Sequence, residues 1–172
     1  ILGVLLVFVV LPGPTRAAEI KIGAAEALTG NASQYGLPIR KGFELALSEI
    51  NASGGINGRK IELVVEDEQG KKEEAINVFK KLIFQDKVLM LFGPTLSNSA
   101  QASDPVAQGA KVVVFGTSNT ADGITSIGNY VFRNSVTEAD ILPVTLKIAA
   151  QKTGLKRVAV LYGNDDIFTK SG

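Results

Sequence analysis

The residues able to do chemistry in this 172-residue sequence gather in three short stretches without charge. They are Leu28-Thr29-Gly30-Asn31-Ala32-Ser33-Gln34-Tyr35-Gly36, Gly93-Pro94-Thr95-Leu96-Ser97-Asn98-Ser99 and Gly116-Thr117-Ser118-Asn119-Thr120. Hydroxyls and amides donate and accept at short range. A surface built from them suits a small polar or zwitterionic solute. Catalytic alternatives are few. The chain has no His and no Cys, which excludes a Cys/His zinc site, a thiol nucleophile, a disulfide and a Ser-His-Asp triad. Neither a G-x-G-x-x-G following a strand nor a phosphate-binding G-x-x-x-x-G-K-[ST] is present, so no nucleotide cofactor is expected. With 18 Lys and Arg against 17 Asp and Glu, there is no basic field for nucleic acid. Binding is favoured over catalysis, with no metal and no cofactor.

Within these stretches Ser97 carries most weight. It stands where a helix is expected to start, so it either caps that helix or, with the free amides and positive dipole end, meets an anion such as a carboxylate. Thr117, Ser118 and Asn119 are either ligand contacts or ordinary loop solvation. Tyr35, beside Gly36, is either a half-buried loop aromatic or a ligand contact with an apolar face and one hydroxyl. The acidic run Glu66-Asp67-Glu68 and the run Lys71-Lys72-Glu73-Glu74 read as solvated faces. Glu26 ends a strand; a surface role is preferred there over contact with an ammonium group.

The elements that must position these residues follow from apolar periodicity. Ile20, Ile22 and Ala24 open a strand, and Ile39, Phe43, Ala46, Leu47 and Ile50 recur at helical spacing. Asn51 to Gly55 stops that helix, and Asn57-Gly58 makes a turn. Ile61 to Val65 is a second strand; Ala75, Val78, Phe79, Leu82 and Ile83 mark a second helix. Val88 to Phe92 is a third strand, short and apolar as expected when both faces are covered. A helix over Ser99–Gln108, a strand over Val112–Phe115 and an extended segment over Tyr130–Arg133 follow. A fourth helix is expected with Asp140 as its cap, in preference to Thr137, because Pro143 is tolerated in a first turn. Arg157 to Tyr162 reads as a last strand. Alternation of strand and helix predicts an α/β fold, a three-layer sandwich with a mostly parallel sheet. Ligands of such sheets bind beyond the carboxyl ends of the strands, and all three uncharged stretches lie there.

Residues 1–17 read as part of a secretory signal peptide. Ile1 to Leu11 is an unbroken apolar run, followed by Pro12-Gly13-Pro14 and then Thr15-Arg16-Ala17-Ala18, with cleavage expected after Ala17. Eleven residues at about 1.5 Å each are too short for a bilayer core of about 30 Å; a lipid anchor or a truncated membrane helix is the alternative. A start at Ile1 and an ending that looks unfinished read as a fragment.

The stretches LTGNASQYG, KGFELALSEINASGGINGRKIELVVEDEQ, FGPTLSNSAQASDPVA, YVFRNSVTEAD and KRVAVLYGNDDIFTKSG, in that order, resemble the leucine/isoleucine/valine-binding family over about residues 19–172. The resemblance implies the type I periplasmic binding fold, two lobes closing on a ligand. On that basis residues 18–134 form the first lobe, and 135–172 hold a hinge crossing and the start of a second. It further implies a substrate-binding protein of an ABC importer, periplasmic and monomeric when complete. Such a protein takes a small solute, a branched-chain or other amino acid, to a membrane permease without making or breaking a bond. The family's ligand contacts fall on Tyr35, Ser97, Thr117, Ser118, Asn119 and, in the second lobe, Phe168. The disulfide found in some relatives falls on Gly70 and Leu96. A ligand-sensing receptor of the same fold, for amides, aromatic acids or urea-like compounds, is the alternative.

Overall fold

The computed structural model describes residues 18–161. Five strands, β1 (Ile20–Glu26), β2 (Ile61–Asp67), β3 (Met90–Phe92), β4 (Val113–Gly116) and β5 (Val131–Arg133), form one sheet in the order β2-β1-β3-β4-β5. Every pairing is parallel, with Glu26 opposite Asp67, Ala24 opposite Phe92 and Gly116 opposite Arg133. The carboxyl ends of β1, β3 and β4 therefore emerge side by side at one edge.

Helices α1 (Ser33–Ala52), α2 (Lys72–Lys80) and α3 (Ser97–Ala110) connect the first four strands, and a π-helical turn, Lys81–Gln85, extends α2. One face of the sheet is closed by α2 and α3, whose contacts with Leu91 and Val114 bury Phe79, Leu82, Ala100 and Ala107 completely. Burying a Leu or Phe side chain stabilises by roughly 1.5–3 kcal/mol, so this cluster is the main apolar anchor among the described residues. On the other face Phe43 of α1 packs on Phe92 at 4.7 Å between ring centroids, and Phe92 meets Phe115 edge-on at 6.2 Å.

Boundaries differ from the sequence expectation in informative places. α1 starts at Ser33, so Tyr35 and Gly36 sit in its first turns and not in a loop. A Cβ on Gly36 would fall on the Ala27 carbonyl oxygen, and glycine lets α1 begin this close to the end of β1. The fourth helix, α4 (Glu138–Thr153), is capped by Thr137 and not Asp140: Thr137 Oγ accepts from the Asp140 amide at 3.1 Å. Asp140 returns the contact through its carboxylate, accepting from Thr137 Oγ at 2.7 Å. That reciprocal cap outweighs the one amide Pro143 cannot supply. Residues 157–161 form no strand; a strand exists only within a ladder, and none of the described strands pairs with this segment. No residue of α4 is buried. The segment read as a signal peptide lies outside the described residues. Among the described residues no helix is long and apolar enough to cross a membrane.

Candidate functional site

At the carboxyl edge the three uncharged stretches come together. Gly93 follows β3 with φ of +104°, where a Cβ would meet the Ala25 carbonyl oxygen; only glycine turns the chain out there, against β1. Thr95 lands over the end of β1. Its hydroxyl accepts from the Ala27 amide at 2.9 Å and donates to Glu26 Oε2 at 2.7 Å. Thr117, one residue beyond β4, donates to the same carboxylate, at 3.1 Å to Oε1 and 3.3 Å to Oε2. Glu26 thus fastens the ends of three strands.

Glu26 is fully buried, which corrects the expected surface role. Burial pushes its pKa from the ordinary carboxylate range up to about 7, against the lowering effect of the Thr95 and Thr117 hydrogen bonds, and Glu68 adds a smaller upward push. Glu68 is fully buried too, and Ser99 Oγ donates to its Oε2 at 3.0 Å. Burial again raises the pKa, opposed by hydrogen bonds from Ser99, Thr95 and Gly70. The acidic run is therefore not a solvated face throughout. Glu66 pairs with Lys81. Asp67 accepts from the Leu28 and Gln69 amides, each at 2.9 Å, and from Thr29 Oγ at 2.6 Å. Burial acts upward on Asp67, but these bonds outweigh it and hold its carboxyl below the usual range.

The loop after β4 is tied down along its length. Ser118 Oγ donates to the Thr95 carbonyl at 2.7 Å, and Asn119 Nδ2 donates to the Pro94 carbonyl at 3.0 Å. Ser97 Oγ accepts from the Thr120 and Ala121 amides, both at 3.2 Å. Arg133 donates to the Ala121 carbonyl, and Ser135 to that of Asn119. Ser97 is thus not the cap of α3. The cap position is Leu96, without a side-chain hydrogen bond, and Ser97 is the first helical residue, its hydroxyl spent across the loop.

These contacts frame a small pocket of about 100 Å³ lined by Tyr35, Thr95, Leu96, Ser97 and Ser118. Three of the six expected site residues, Tyr35, Ser97 and Ser118, line it. Thr117 lies half-buried beside it on Glu26. Asn119 is buried, holding Pro94, while its Oδ1 has no hydrogen-bond partner. Phe168 lies outside the described residues. Sequence reasoning did not single out Thr95 or Leu96 as site residues, and it assigned Glu26 and Glu68 to the surface. Glu26 did leave a signal: it closes an apolar strand between two parallel neighbours, and a threonine stands just past the end of each of β3 and β4. Gly70 and Leu96 do adjoin, since a Cβ on Gly70 would lie 3.3 Å from Leu96 Cδ1. Among the described residues no three Asp or Glu side chains gather to hold a metal ion.

A family model described as periplasmic binding protein matches residues 19–172. The leucine-, isoleucine-, valine-, threonine-, and alanine-binding protein of Pseudomonas aeruginosa is 33% identical over 147 residues, which are 85% of this chain and 39% of that protein. A leucine binding protein from Thermotoga maritima superposes with a TM-score of 0.80 at 25% identity, covering 88% of this chain and 43% of its own. A solute binding protein of an ABC transporter from Rhodopseudomonas palustris, in complex with 3,4-dihydroxy benzoic acid, gives a TM-score of 0.80 at 26% identity, covering 89% and 41%. The chain spans about two fifths of the length of the curated relatives it matches.

Proposed function

The chain belongs to the periplasmic binding protein family, with the type I fold, and we propose that it is the solute-gripping first lobe of an extracytoplasmic binding protein serving an ABC importer. The solute is an amino acid, branched-chain or other. The observation that carries this reading is Ser97. It stands in the wall of the pocket at the start of α3, where the first amides of a helix have no intrahelical partner and the dipole is positive. Its oxygen already accepts from two amides, so its proton is what remains to give. A helix start and a hydroxyl donor together suit a carboxylate.

Residues 18–134 make the gripping lobe and 135–172 lead into a second. The open protein takes up solute on the first lobe, and closure adds contacts from the second. Closure is a population shift, limited by how much better the solute binds the closed form. The closed protein then docks on a membrane permease, powered by a separate ATPase, and no bond in the solute changes. An aromatic acid is the second reading, favoured by the dihydroxybenzoic acid carried by the R. palustris neighbour.

A thermal-shift panel on the full-length mature protein tests both, with the common amino acids, amides, hydroxybenzoates and urea. A ligand at about a thousand times its dissociation constant stabilises by about 4 kcal/mol. A shift with amino acids alone supports the first reading, and a shift with hydroxybenzoates alone replaces it with the second. Silence across the panel contradicts both.

A further inference from the structure

Counting protons in the pocket gives it a direction. An ionised carboxylate only accepts hydrogen bonds, so Thr95 and Thr117 both point their protons at Glu26. Ser118 points its proton at the Thr95 carbonyl. Three hydroxyls on the β3–β4 side have therefore committed their donors, and their remaining capacity is as acceptors. Ser97, in the opposite state, has two amides on its oxygen and a proton left over. The pocket wall thus offers a donor at Ser97 and acceptors at Thr95 and Ser118, with Thr117 beside them. This is the polarity of an α-amino acid's binding partner: carboxylate to Ser97, ammonium to the threonine side. When Glu26 is ionised, the negative charge behind the acceptors strengthens the match for an ammonium and works against a solute bringing only a carboxylate.

We propose that Glu26 is the positioning residue that sets this polarity, holding the Thr95 and Thr117 hydroxyls as acceptors and so selecting solutes that carry an ammonium group over acids that lack one. Fully buried, Glu26 does not touch solute and acts through the two threonines. The inference rests on the proposed function and narrows it to amino-bearing solutes.

The groups around Glu26 leave it free to play this part. From β2, Asp67 is turned onto Leu28, Thr29 and Gln69, and Glu68 is the carboxyl whose charge bears on it. α3 contributes Asp104, about two turns beyond Ser97. On α1, Tyr35 lines the pocket and Arg40 pairs with Glu44. The β5 cation, Arg133, is engaged with the Ala121 carbonyl. Among the described residues no Lys or Arg bonds to Glu26. Burial brings its ionisation to about pH 7, whereas an amino acid stays zwitterionic well to either side. An ammonium binds best when Glu26 is ionised, so affinity for an amino acid rises as pH climbs through neutrality. For an acid without the amine it falls.

The test is calorimetric titration of the full-length mature protein between pH 5.5 and 8.5. The twenty common L-amino acids are tried first; the tightest is then compared with its amine-free acid, for example leucine with 4-methylpentanoate. In the wild type the amino acid is expected to bind several-fold, up to about tenfold, more tightly at pH 8.5 than at 5.5, since one unit of pKa change on binding corresponds to at most about tenfold. Glu26→Gln is expected to lose at least about tenfold in amino-acid affinity at pH 8.5 and to flatten that profile, while the amine-free acid binds no worse. Equal losses for both compounds would show a merely structural role and overturn the proposal. So would a flat wild-type profile, which needs no variant and remains decisive if Glu26→Gln fails to fold. Amino-acid binding that Glu26→Gln leaves unchanged overturns this inference alone. Absence of amino-acid binding by the wild type overturns the proposed function and this inference with it.

Discussion

Replacing Ser97 by Ala removes one oxygen that serves two adjacent backbone amides distant from it in sequence. Both contacts, Ser97 Oγ with the Thr120 and Ala121 amides, are 3.2 Å long, the weak end of the normal range. Ala121 is 2% exposed, so its amide finds no water in the variant; that of half-buried Thr120 can. An orphaned buried donor costs about 1–3 kcal/mol, so one such loss and one partial loss place the expected destabilisation at about 2 kcal/mol. Ser118→Ala is the matched control. It deletes a shorter contact, 2.7 Å to the Thr95 carbonyl, but removes the donor from a half-buried side chain, and below about 1 kcal/mol is expected. Urea unfolding of the full-length protein measures both, read as a midpoint shift at unchanged slope. Ser97→Ala is also expected to weaken amino-acid binding by about tenfold or more, the weight of a hydrogen bond to a charged group. If Ser97→Ala sits within about 0.3 kcal/mol of wild type, or Ser118→Ala is the more damaging, the account of how α3 holds the β4 loop is wrong.

Two further outcomes are expected. Asp104 is 1% exposed with Oδ1 unpartnered, and burial raises its pKa from 3.8 to about 8. The folded chain therefore keeps a proton that the unfolded chain releases, so the stability contributed by this carboxyl is fully present below about pH 4 and is lost as pH rises toward 8, by roughly 5 kcal/mol at the upper limit. Urea midpoints measured between pH 4.5 and 8.5 should show that decline and a clearly shallower one in Asp104→Asn; equal slopes would refute it. Gly36→Ala places a methyl on the Ala27 carbonyl, with the carbonyl carbon at 2.7 Å and the amide nitrogen at 2.9 Å. It should destabilise by about 1–3 kcal/mol and weaken solute binding by shifting Tyr35, whereas Gly42→Ala, with open space around it, should stabilise or be neutral.

Much of this fold could be read from apolar spacing, because α1, α2 and α3 each keep one face on the sheet and the strands between them are short and rich in apolar residues. Phe43, Phe79, Leu82 and Leu91 all fall where periodicity puts them. The site's position followed from the same reading, since parallel strands deliver their following loops to one edge. What could not be read is what happens between elements. A carboxylate at a strand end reads as solvent-facing until the threonines of two other strands are known to reach it; Glu26 and Glu68 are buried by partners 31 to 91 residues away in sequence. Ser97 carries the residue type of a helix cap, yet its oxygen goes to amides 23 and 24 residues on. Arg157 to Tyr162 has the short apolar run of a strand, but pairing needs a neighbour that periodicity cannot supply.

The most direct measurement is amide hydrogen exchange on the full-length mature protein, with and without the amino acid giving the largest thermal shift. Slowed exchange at residues 95–99 and 117–121 upon binding, with α2 unaffected, is the predicted result. Tight binding that leaves both segments exchanging at their free rates would place the solute elsewhere and contradict the account.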